Sequence, residues 1–299
     1  MEVLCCPIQH YPSFKEFLYD LGISGQQIKN QFTHKKLLTK ELFKGDVCSI
    51  PIQLLNKNMI SPQYFGEDIS IVYESNLLLG LSKPIKIHSL PHQYNESDNL
   101  LSYIRKTNKY SEVLDLNKNS YERGLLFRLD YETSGLVLFA KDLEFFELFR
   151  KQIKKNKYYL AVVHGGIKDA FSYAHHISYL GKKGAIGKTS NEVRANAHLE
   201  GKKIYFNKEK NLSLVLIKLN EGLRHQIRIQ LAASGFPIVG DSLYGKNIDN
   251  SRMFLHSYCY AFSYQEKNYQ IFDENLLEFE RILNFDRILQ MAHQTILSF

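Results

Sequence analysis

The sequence predicts an α+β protein, in which a mixed, largely antiparallel sheet forms the larger domain and a small helical module precedes it. From residue 68 onward, short apolar segments separated by turn residues outnumber the helical segments. These segments recur too irregularly for a series of βαβ units. Before that point the apolar residues follow a helical spacing instead. We therefore predict a module over residues 1–65, a main domain over 66–270 and a helical extension over 271–299.

The composition is that of a folded globular protein. Of the 299 residues, 44% are apolar and 23% are charged, and this length is enough for one sizeable core with a small appended domain. The apolar runs are too short to cross a bilayer, and the first residues do not form a secretory signal. We therefore expect a cytoplasmic protein, with a monomer as the default state.

The net charge favours a polyanionic partner without proving one. The chain carries a formal charge of +7 and has a pI of about 9.0. Lysine and arginine side chains that neutralise phosphates release counterions, which gives affinity that does not depend on base sequence. A solvated basic surface would have the same composition, so charge alone leaves both interpretations open.

The N-terminal module is predicted to contain two short helices and a strand. In SFKEFLYDLG (13–22) the apolar residues fall at near-helical intervals, and the glycine ends the helix. Ser24 can cap a second helix. KGDVCSIPI (44–52) then supplies a turn and a short alternating strand.

The main domain is predicted from its apolar strands and from two helices between them. Asp142 can cap one helix, and a second helix is predicted over residues 224–233, ending at a Ser-Gly pair. The amphipathic C-terminal thirty residues are expected to form helices that pack on the sheet. The segments predicted to be strands are residues 69–73, 77–81, 136–140, 158–163 and 212–219.

The segment FRLDYETSGLVLFAK (127–141) is the first candidate site. Arg128 and Asp130 are two residues apart, so in an extended segment they project from one side. Thr133 and the Ser-Gly pair after it supply turn-forming groups before an apolar strand. The segment can hold a carboxylate just before the start of a strand, beside a guanidinium that can bind phosphate. A surface ion pair next to a turn is the plainer interpretation, and these residues alone favour it.

The segment EGLRHQIRIQLAASG (221–235) is the second candidate site. A glycine turn leads into a helix on which His225 and Arg228 share a face, while Ile227 and Leu231 face the core. A basic amphipathic helix on the surface would show the same pattern. The following FPIVGDSLYG (236–245) is unusual for a plain connection, because a Gly-Asp pair precedes its Leu-Tyr-Gly turn.

Together these stretches resemble the RluA-type family of RNA pseudouridine synthases. The resemblance covers residues 68–265, and its motifs occur in the family's order and spacing, which makes chance agreement far less likely than for a single pattern. The motifs are LSKPIKIHS (81–89), RLDYETSGLVLFAK (128–141), KYYLAVVHGG (157–166), GLRHQIRIQLAASGFPIVGDSLYG (222–245) and FLHSYCYAF (254–262).

The resemblance implies the pseudouridine synthase fold and a set of site residues. Asp130 corresponds to the catalytic carboxylate, Tyr159 to the aromatic residue that stacks on the target base, and Arg228 to the ion-pair partner of Asp130. Arg128 corresponds to the residue that helps to hold the flipped nucleotide. Further substrate-binding positions are implied at Thr133, Arg224, His225 and Gln226.

The chemistry that the resemblance implies requires these residue types. The enzyme breaks the N-glycosidic bond of uridine in ribosomal or transfer RNA, turns the uracil and joins its C5 to C1′, which requires no metal or redox cofactor. Asp130 must be ionised to act as a nucleophile or to take a sugar proton, and a buried Arg228 favours that form. Tyr159 can offset the cost of base flipping by stacking, and its hydroxyl can help to remove the C5 proton.

Three departures from the family pattern leave a second hypothesis open. Phe127 stands where the family usually has His, Leu223 where it usually has Arg, and Lys86 where Gly is common. A catalytically inactive RNA-binding protein that retains the fold is therefore the alternative. A glycosidase would need a second positioned carboxylate, which the matched motifs lack.

Other features support weaker predictions. The N-terminal module resembles an S4-like RNA-binding domain with a shortened hairpin between Phe32 and Leu42. The run GKKGAIGKT (181–189) lacks a glycine that a phosphate-binding loop needs, so we predict a basic loop there. His175 and His176 have no accompanying carboxylate or Cys, so we expect them to face solvent or RNA rather than a metal. The cysteines lack CxxC spacing and are expected to be reduced, mostly buried thiols.

Overall fold

The computed structural model describes residues 2–5, 7, 9–55, 60, 64–91, 96–117, 122–180, 186–190, 194–220, 222–245 and 252–299. The strands are β1 (Glu2–Cys5), β2 (Cys48–Pro51), β3 (Ile71–Glu74), β4 (Leu78–Lys83), β5 (Ser134–Ala140), β6 (Lys155–His164), β7 (Ala170–Leu180), β8 (Ile186–Ser190), β9 (Ala197–Asn207), β10 (Leu212–Leu219), β11 (Leu255–Tyr264) and β12 (Lys267–Phe272). The helices are α1 (Phe14–Asp20), α2 (Gly25–Gln31), α3 (Lys35–Leu38), α4 (Ile52–Leu55), α5 (Leu100–Thr107), α6 (Ser111–Asp115), α7 (Leu143–Lys151), α8 (Gln226–Ala233), α9 (Leu277–Leu283) and α10 (Ile288–Ile296).

Ten of these strands form one sheet, and β1 and β2 form a separate antiparallel ribbon. The order along the sheet is β3-β4-β5-β11-β6-β10-β9-β7-β8, and β12 also pairs with β11. The neighbours are antiparallel except for β5 and β11, which run parallel. The predicted mixed, largely antiparallel sheet is therefore confirmed.

The central strands separate two hydrophobic cores. Successive residues of a strand point to opposite faces, so Tyr159 and Ala161 of β6 enter one core while Tyr158 and Leu160 enter the other. Helix α8 contributes apolar side chains to the first core, and α9 and α10 contribute to the second. Tyr159 therefore lies on the same face of the sheet as α8, which brings together residues from two distant parts of the sequence.

The N-terminal residues have a hydrophobic cluster of their own, formed from α1, α2 and the β1-β2 ribbon. The predicted capping role of Ser24 is confirmed, because its hydroxyl accepts from Gln27 N and the Gln27 side chain accepts from Ser24 N. The shortened hairpin predicted between Phe32 and Leu42 was wrong, since Lys-Lys-Leu-Leu forms helix α3, as good helix formers can. The domain boundary at residue 65 and the likeness to an S4 domain remain predictions.

Several element boundaries differ from prediction for identifiable reasons. Helix α8 begins at Gln226 rather than at residue 224, because His225 has a φ of +54° and cannot continue a right-handed helix. Residues 186–190 form β8 instead of a basic loop, while residues 181–185 lie outside the described chain. Strands β7 and β9 were not predicted, since lysines, histidines and glycine interrupt their apolar pattern.

Other local predictions can be compared directly with the structure. The Asp142 carboxylate accepts a hydrogen bond from Phe145 N at 2.8 Å, which confirms the predicted cap of α7. Cys5 and Cys259 are buried and Cys48 is half-buried. Across the residues that the structure describes, none of the helices is both long and apolar enough to span a membrane.

Candidate active site

Asp130 lies on a tight turn that leads into β5. Thr133 N donates to Asp130 O at 3.1 Å, which closes the turn. Gly135 follows with a φ of +111°, and a Cβ at this position would lie 2.4 Å from Ser257 O on β11. Only glycine allows this backbone conformation and this close approach of the two strands. The sequence Thr-Ser-Gly therefore fixes the place where β5 begins, and with it the position of Asp130.

The two predicted constellations meet in one cleft. Its volume is about 300 Å³. It is bordered by all eight residues that the sequence suggested for the site, namely Arg128, Asp130, Thr133, Tyr159, Arg224, His225, Gln226 and Arg228. The cleft contains groups from the turn before β5, from β6 and from the N-terminal end of α8.

Arg228 is buried and holds three carboxylates around it. Its Nε and Nη2 donate to Oδ2 and Oδ1 of Asp241, both at 2.8 Å. Its Nη1 lies 3.4 Å from Glu132 Oε2 and 3.6 Å from Asp130 Oδ2. Burial alone would lower the pKa of the guanidinium, but the hydrogen bonds and charge of Asp241, with Asp130 and Glu132, raise it above its ordinary value. The expected contact between Arg228 and Asp130 is present, although Asp241 is the closer partner.

Asp241 anchors this arrangement from a buried position. Its Oδ1 also accepts from Leu243 N at 2.9 Å and from Tyr244 N at 3.1 Å. Burial would raise the pKa of this carboxyl, but the hydrogen bonds and charge of Arg228 lower it below its ordinary value. The Gly-Asp pair is unusual in the sequence, but nothing local shows that Asp241 pairs with a residue thirteen positions earlier.

His225 connects the start of α8 to Asp130. Its Nε2 lies 3.8 Å from Asp130 Oδ2, and its Nδ1 lies 3.0 Å from the hydroxyl of Tyr244. Burial lowers the pKa of the imidazole, and the nearby Asp130 carboxylate opposes that change only in part. At neutral pH a neutral imidazole therefore faces the Asp130 carboxylate. In the tautomer with its proton on Nε2, it is oriented to donate toward that carboxylate.

Tyr159 lies across the cleft on β6. Burial raises the pKa of its phenol well above the ordinary value, and the adjacent Tyr260 and Asp130 raise it further. The phenol therefore stays protonated at neutral pH and can donate a hydrogen bond. The β6 strand is paired on both sides, with β10 and β11, so the Tyr159 ring is held on a rigid support.

The remaining predicted residues differ in how much of each side chain is available. Arg128 is exposed, and within the described residues it forms no hydrogen bond or ion pair. Gln226 is buried, with Nε2 donating to His198 O and Oε1 accepting from Leu223 N, both at 2.9 Å. The Gln226 amide therefore holds the turn before α8 in place.

Phe127 and Lys157 were not predicted as parts of the site. The Phe127 ring stacks on Tyr260 with centroids 5.5 Å apart and planes 13° apart. Lys157 Nζ lies 4.4 Å from the centroid of the Phe127 ring, within cation–π range. Lys157 also borders the cleft. It stands two residues before Tyr159 on one strand, a spacing that could have indicated a shared face.

Lys83 supports the turn after Asp130 through hydrogen bonds to backbone carbonyl groups. Its buried ammonium donates to the carbonyl oxygens of Pro84 and Ile87 at 2.9 Å and of Tyr131 at 3.3 Å. Burial lowers the pKa of Lys83 to about 7, against the opposing effect of Asp130 and Glu132. The Lys-Pro segment is one of the family-like motifs of the sequence, but nothing local links it to Tyr131, 48 residues away.

The adjacent histidines of β7 make separate contacts. His175 Nδ1 lies 3.2 Å from Gln230 Nε2, and His176 Nδ1 lies 3.1 Å from Arg194 O. In the parts of the chain that the structure describes, no three His, Cys, Asp or Glu side chains are grouped as metal ligands would be.

The family model and the related proteins that match this chain all belong to one family. Residues 78–233 match the family model described as RNA pseudouridylate synthase. An uncharacterized RNA pseudouridine synthase of Bacillus subtilis is 29% identical over 239 residues, which cover 75% of this chain and 72% of that protein. Ribosomal large subunit pseudouridine synthase D of Borreliella burgdorferi is 28% identical over 232 residues, which cover 74% and 69%. An uncharacterized RNA pseudouridine synthase of Mycoplasma capricolum is 31% identical over 218 residues, covering 67% and 68%.

Solved structures show the same fold. Human RNA pseudouridylate synthase domain containing 1 superposes with a TM-score of 0.55 at 20% identity, covering 72% of this chain and 87% of that one. Human RNA pseudouridylate synthase domain containing 4 gives a TM-score of 0.52 at 18% identity, covering 73% and 94%. The main sheet, with α8 on one face, therefore has the pseudouridine synthase fold.

Proposed function

The chain belongs to the RNA pseudouridylate synthase family, and we propose that it isomerises a uridine in structured ribosomal or transfer RNA with Asp130 as its catalytic carboxylate. The family confirms the resemblance of the sequence motifs and makes the protein an isomerase that acts on RNA. One observation carries the assignment of Asp130. Its carboxylate is partly exposed, with the buried Arg228 at 3.6 Å and the His225 imidazole at 3.8 Å, in a cleft that Tyr159 also lines.

The reaction rearranges bonds without changing composition. The bond between C1′ of the ribose and N1 of the uracil breaks, the base turns, and a new bond joins C5 to C1′. The hydrogen on C5 leaves as a proton, and N1 ends with a proton. The site must therefore stabilise charge at the sugar and then accept and return a proton, tasks that a carboxylate and a phenol can perform.

Asp130 is positioned for the step at the sugar. We assign it either attack on C1′ or removal of a ribose proton, both of which require the ionised carboxylate. Arg228, at 3.6 Å, supplies positive charge that favours ionisation, and its own orientation is held by Asp241. The buried environment strengthens this effect because solvent screens the pair only in part.

Tyr159 is positioned for the base. An extruded uracil needs a flat surface to replace the stacking that it loses, which costs a few kcal/mol, and base–aromatic stacking returns about 1–3 kcal/mol. The raised pKa of the phenol keeps its proton in place, so Tyr159 would first donate a hydrogen bond. We assign it the later proton transfer, in which the phenol gives its own proton to N1 and takes up the proton that leaves C5, so that Tyr159 ends the cycle protonated.

RNA binding is assigned to the exposed cations and the hydroxyl at the cleft. Arg128 and Arg224 are exposed beside Asp130 and can contact phosphate. We also assign nucleotide contacts to Thr133, which is buried in the wall of the cleft, and to His225, which is largely buried beside Asp130. The net charge of +7 agrees with an RNA partner. We further propose that the protein works as a monomer in the cytoplasm.

An inactive RNA-binding protein is not favoured. Phe127, which departs from the family pattern, is accommodated by stacking on Tyr260 and by contact with the Lys157 ammonium. Asp130, Tyr159 and Arg228 all remain at the cleft.

Tritium release tests the proposal. Purified protein is incubated with unmodified ribosomal and transfer RNA labelled with tritium at uridine C5, alongside an Asp130→Asn variant that keeps the shape of the side chain. We expect the parent to release tritium to water and the variant to release none above background. Release by both proteins would remove Asp130 from the mechanism, and release by neither, with RNA binding retained, would support the inactive alternative.

A further inference from the structure

A second recess lies beyond Asp130, and the isomerisation as assigned above does not use it. Its volume is about 400 Å³, which is within the size of small-ligand sites, roughly 300–1,000 Å³. It shares six lining residues with the cleft that holds Tyr159, namely Arg128, Leu129, Asp130, Arg224, His225 and Arg228. Whatever occupies it must therefore lie directly beside the target nucleotide.

An aromatic pair lines this recess. The Tyr131 ring lies 4.6 Å from the His88 ring, centroid to centroid, with the planes tilted by 37°. Tyr131 is 40% exposed although it follows the proposed catalytic residue directly. Its backbone is held firmly, because Tyr131 O accepts from Lys86 N at 2.8 Å as well as from the buried Lys83 ammonium. An exposed ring on a fixed backbone is a surface on which a flat ligand can stack.

The other groups around the recess suit a nucleobase better than a phosphate. Leu243, 40% exposed, adds an apolar side chain at the rim. The carboxylate of Glu132 also lines the recess with Asp130. Arg228 also lines the recess, but its charge is already balanced by Asp241, Asp130 and Glu132. A carboxylate here can accept hydrogen bonds from the amino and imino groups of a base. Arg128 and Arg224 border both recesses, where they can meet the phosphates that join two nucleotides.

We propose that this recess binds a second nucleobase, the one adjoining the target uridine in the RNA strand, by stacking it on the Tyr131–His88 pair. The proposal rests on the proposed function, because it places the target base in the cleft with Tyr159. It makes Tyr131 a determinant of which RNA strand is accepted, since a neighbouring nucleotide that cannot leave its own stack cannot enter the recess. The recess thereby couples recognition of the flanking nucleotide to the placement of the target.

Substitutions at Tyr131 test the proposal through two measurements. Tyr131→Phe keeps the ring, Tyr131→Leu keeps apolar bulk without a ring, and Tyr131→Ala removes both. Leu277→Ala is the control for loss of an exposed apolar side chain, because Leu277 is 61% exposed and lies on α9, away from the cleft and the recess. The first measurement is kcat/KM for tritium release from the labelled ribosomal and transfer RNA pool. The second is the affinity for that pool, measured in the Asp130→Asn background, which requires no turnover.

Loss of stacking predicts a specific ranking. Since base–aromatic stacking contributes about 1–3 kcal/mol, Tyr131→Ala and Tyr131→Leu should lower both quantities roughly 5- to 150-fold. Tyr131→Phe and Leu277→Ala should stay within about twofold of the parent. The dependence of affinity on salt should not change in the Tyr131 variants, whereas Arg128→Gln should reduce its slope by about 1.

The opposite results would overturn the proposal. If Tyr131→Ala matches Leu277→Ala in affinity, no base stacks on this ring. If Tyr131→Leu matches the parent, the side chain only fills space. The affinity measurement decides the question even if the parent releases no tritium, so failure of the proposed reaction and failure of the second base site would be separate results.

Discussion

Arg228 donates two hydrogen bonds of 2.8 Å to the carboxylate of Asp241, while its Nη1 points toward Asp130 from 3.6 Å. The fork of the guanidinium is therefore oriented by a buried partner that takes no part in the proposed reaction. Asp130 meets a positive charge whose position does not depend on Asp130 itself. Such support from a second layer of residues is what holds a reactive group in a productive geometry.

Replacing Asp241 should destabilise the protein strongly. Asp241→Asn keeps the shape of the side chain but leaves the buried Arg228 without its closest negative partner, and breaking a buried pair in this way costs about 3–5 kcal/mol. Denaturant unfolding measures the loss. Asp169→Asn is the control, because Asp169 pairs with Lys203 at the surface, where an ion pair contributes about 0–1 kcal/mol. Equal losses in the two variants would show that the Arg228–Asp241 pair has no special weight.

The stability of the parent should rise between about pH 7 and pH 10.5 because of Lys83. Burial lowers the pKa of Lys83 from 10.5 to about 7 in the folded state. Between these values the unfolded chain binds the proton and the folded chain does not, so the free energy of unfolding increases with pH. Below pH 7 the lysine is protonated in both states, so Lys83 causes no further change in stability with pH and the cost of burying its charge is fully present.

A Lys83→Met variant isolates that effect. Methionine preserves much of the side-chain length and has no titrating group. We expect the difference in unfolding free energy between the parent and the variant to grow in favour of the parent from pH 7 to 10.5. A difference that stays constant across this range would mean that Lys83 titrates at the same pH in both states.

Tyr159→Phe should lower kcat much more than it changes KM. Phenylalanine retains the ring for stacking and removes the hydroxyl to which we assign proton transfer, and loss of such a group typically costs about 10²–10⁴-fold. Because burial raises the pKa of Tyr159 well above 10, the parent should show no loss of activity from phenol ionisation below pH 10. Tritium-release kinetics across pH test both statements, and an unchanged kcat would restrict Tyr159 to stacking.

Phe127→His should reduce stability, although histidine is the usual residue of the family at this position. In this chain the ring stacks on Tyr260 and lies within cation–π range of the Lys157 ammonium. A polar ring placed there without a hydrogen-bond partner costs roughly 1–3 kcal/mol. Phe65→His is the control, since Phe65 is 68% exposed and surface changes are usually within about 0.5 kcal/mol. A stable Phe127→His protein would indicate that Lys157 or Tyr260 repacks.

The sequence by itself determined the features whose causes lie within a few residues of each other. Ser24 and Asp142 cap helices through backbone groups three positions ahead, and both caps were predictable. The apolar strands of the sheet centre were predictable for the same reason, since β5, β6 and β10 contain almost continuous apolar runs. The motifs around Asp130 and Arg228 also identified the family before their arrangement in space was known.

The tertiary structure alone decided which of these groups work together. Asp241 pairs with Arg228 and Lys83 reaches Tyr131 O only because the sheet brings separate segments to one edge. The outer strands β7 and β9 escaped prediction because partly solvated strands do not need a regular apolar pattern. Contacts between distant segments leave no periodic or local signal in a single sequence. The carboxylate, the arginine and the tyrosine could therefore be named from the sequence, while the residues that hold them in place could be found only from the fold.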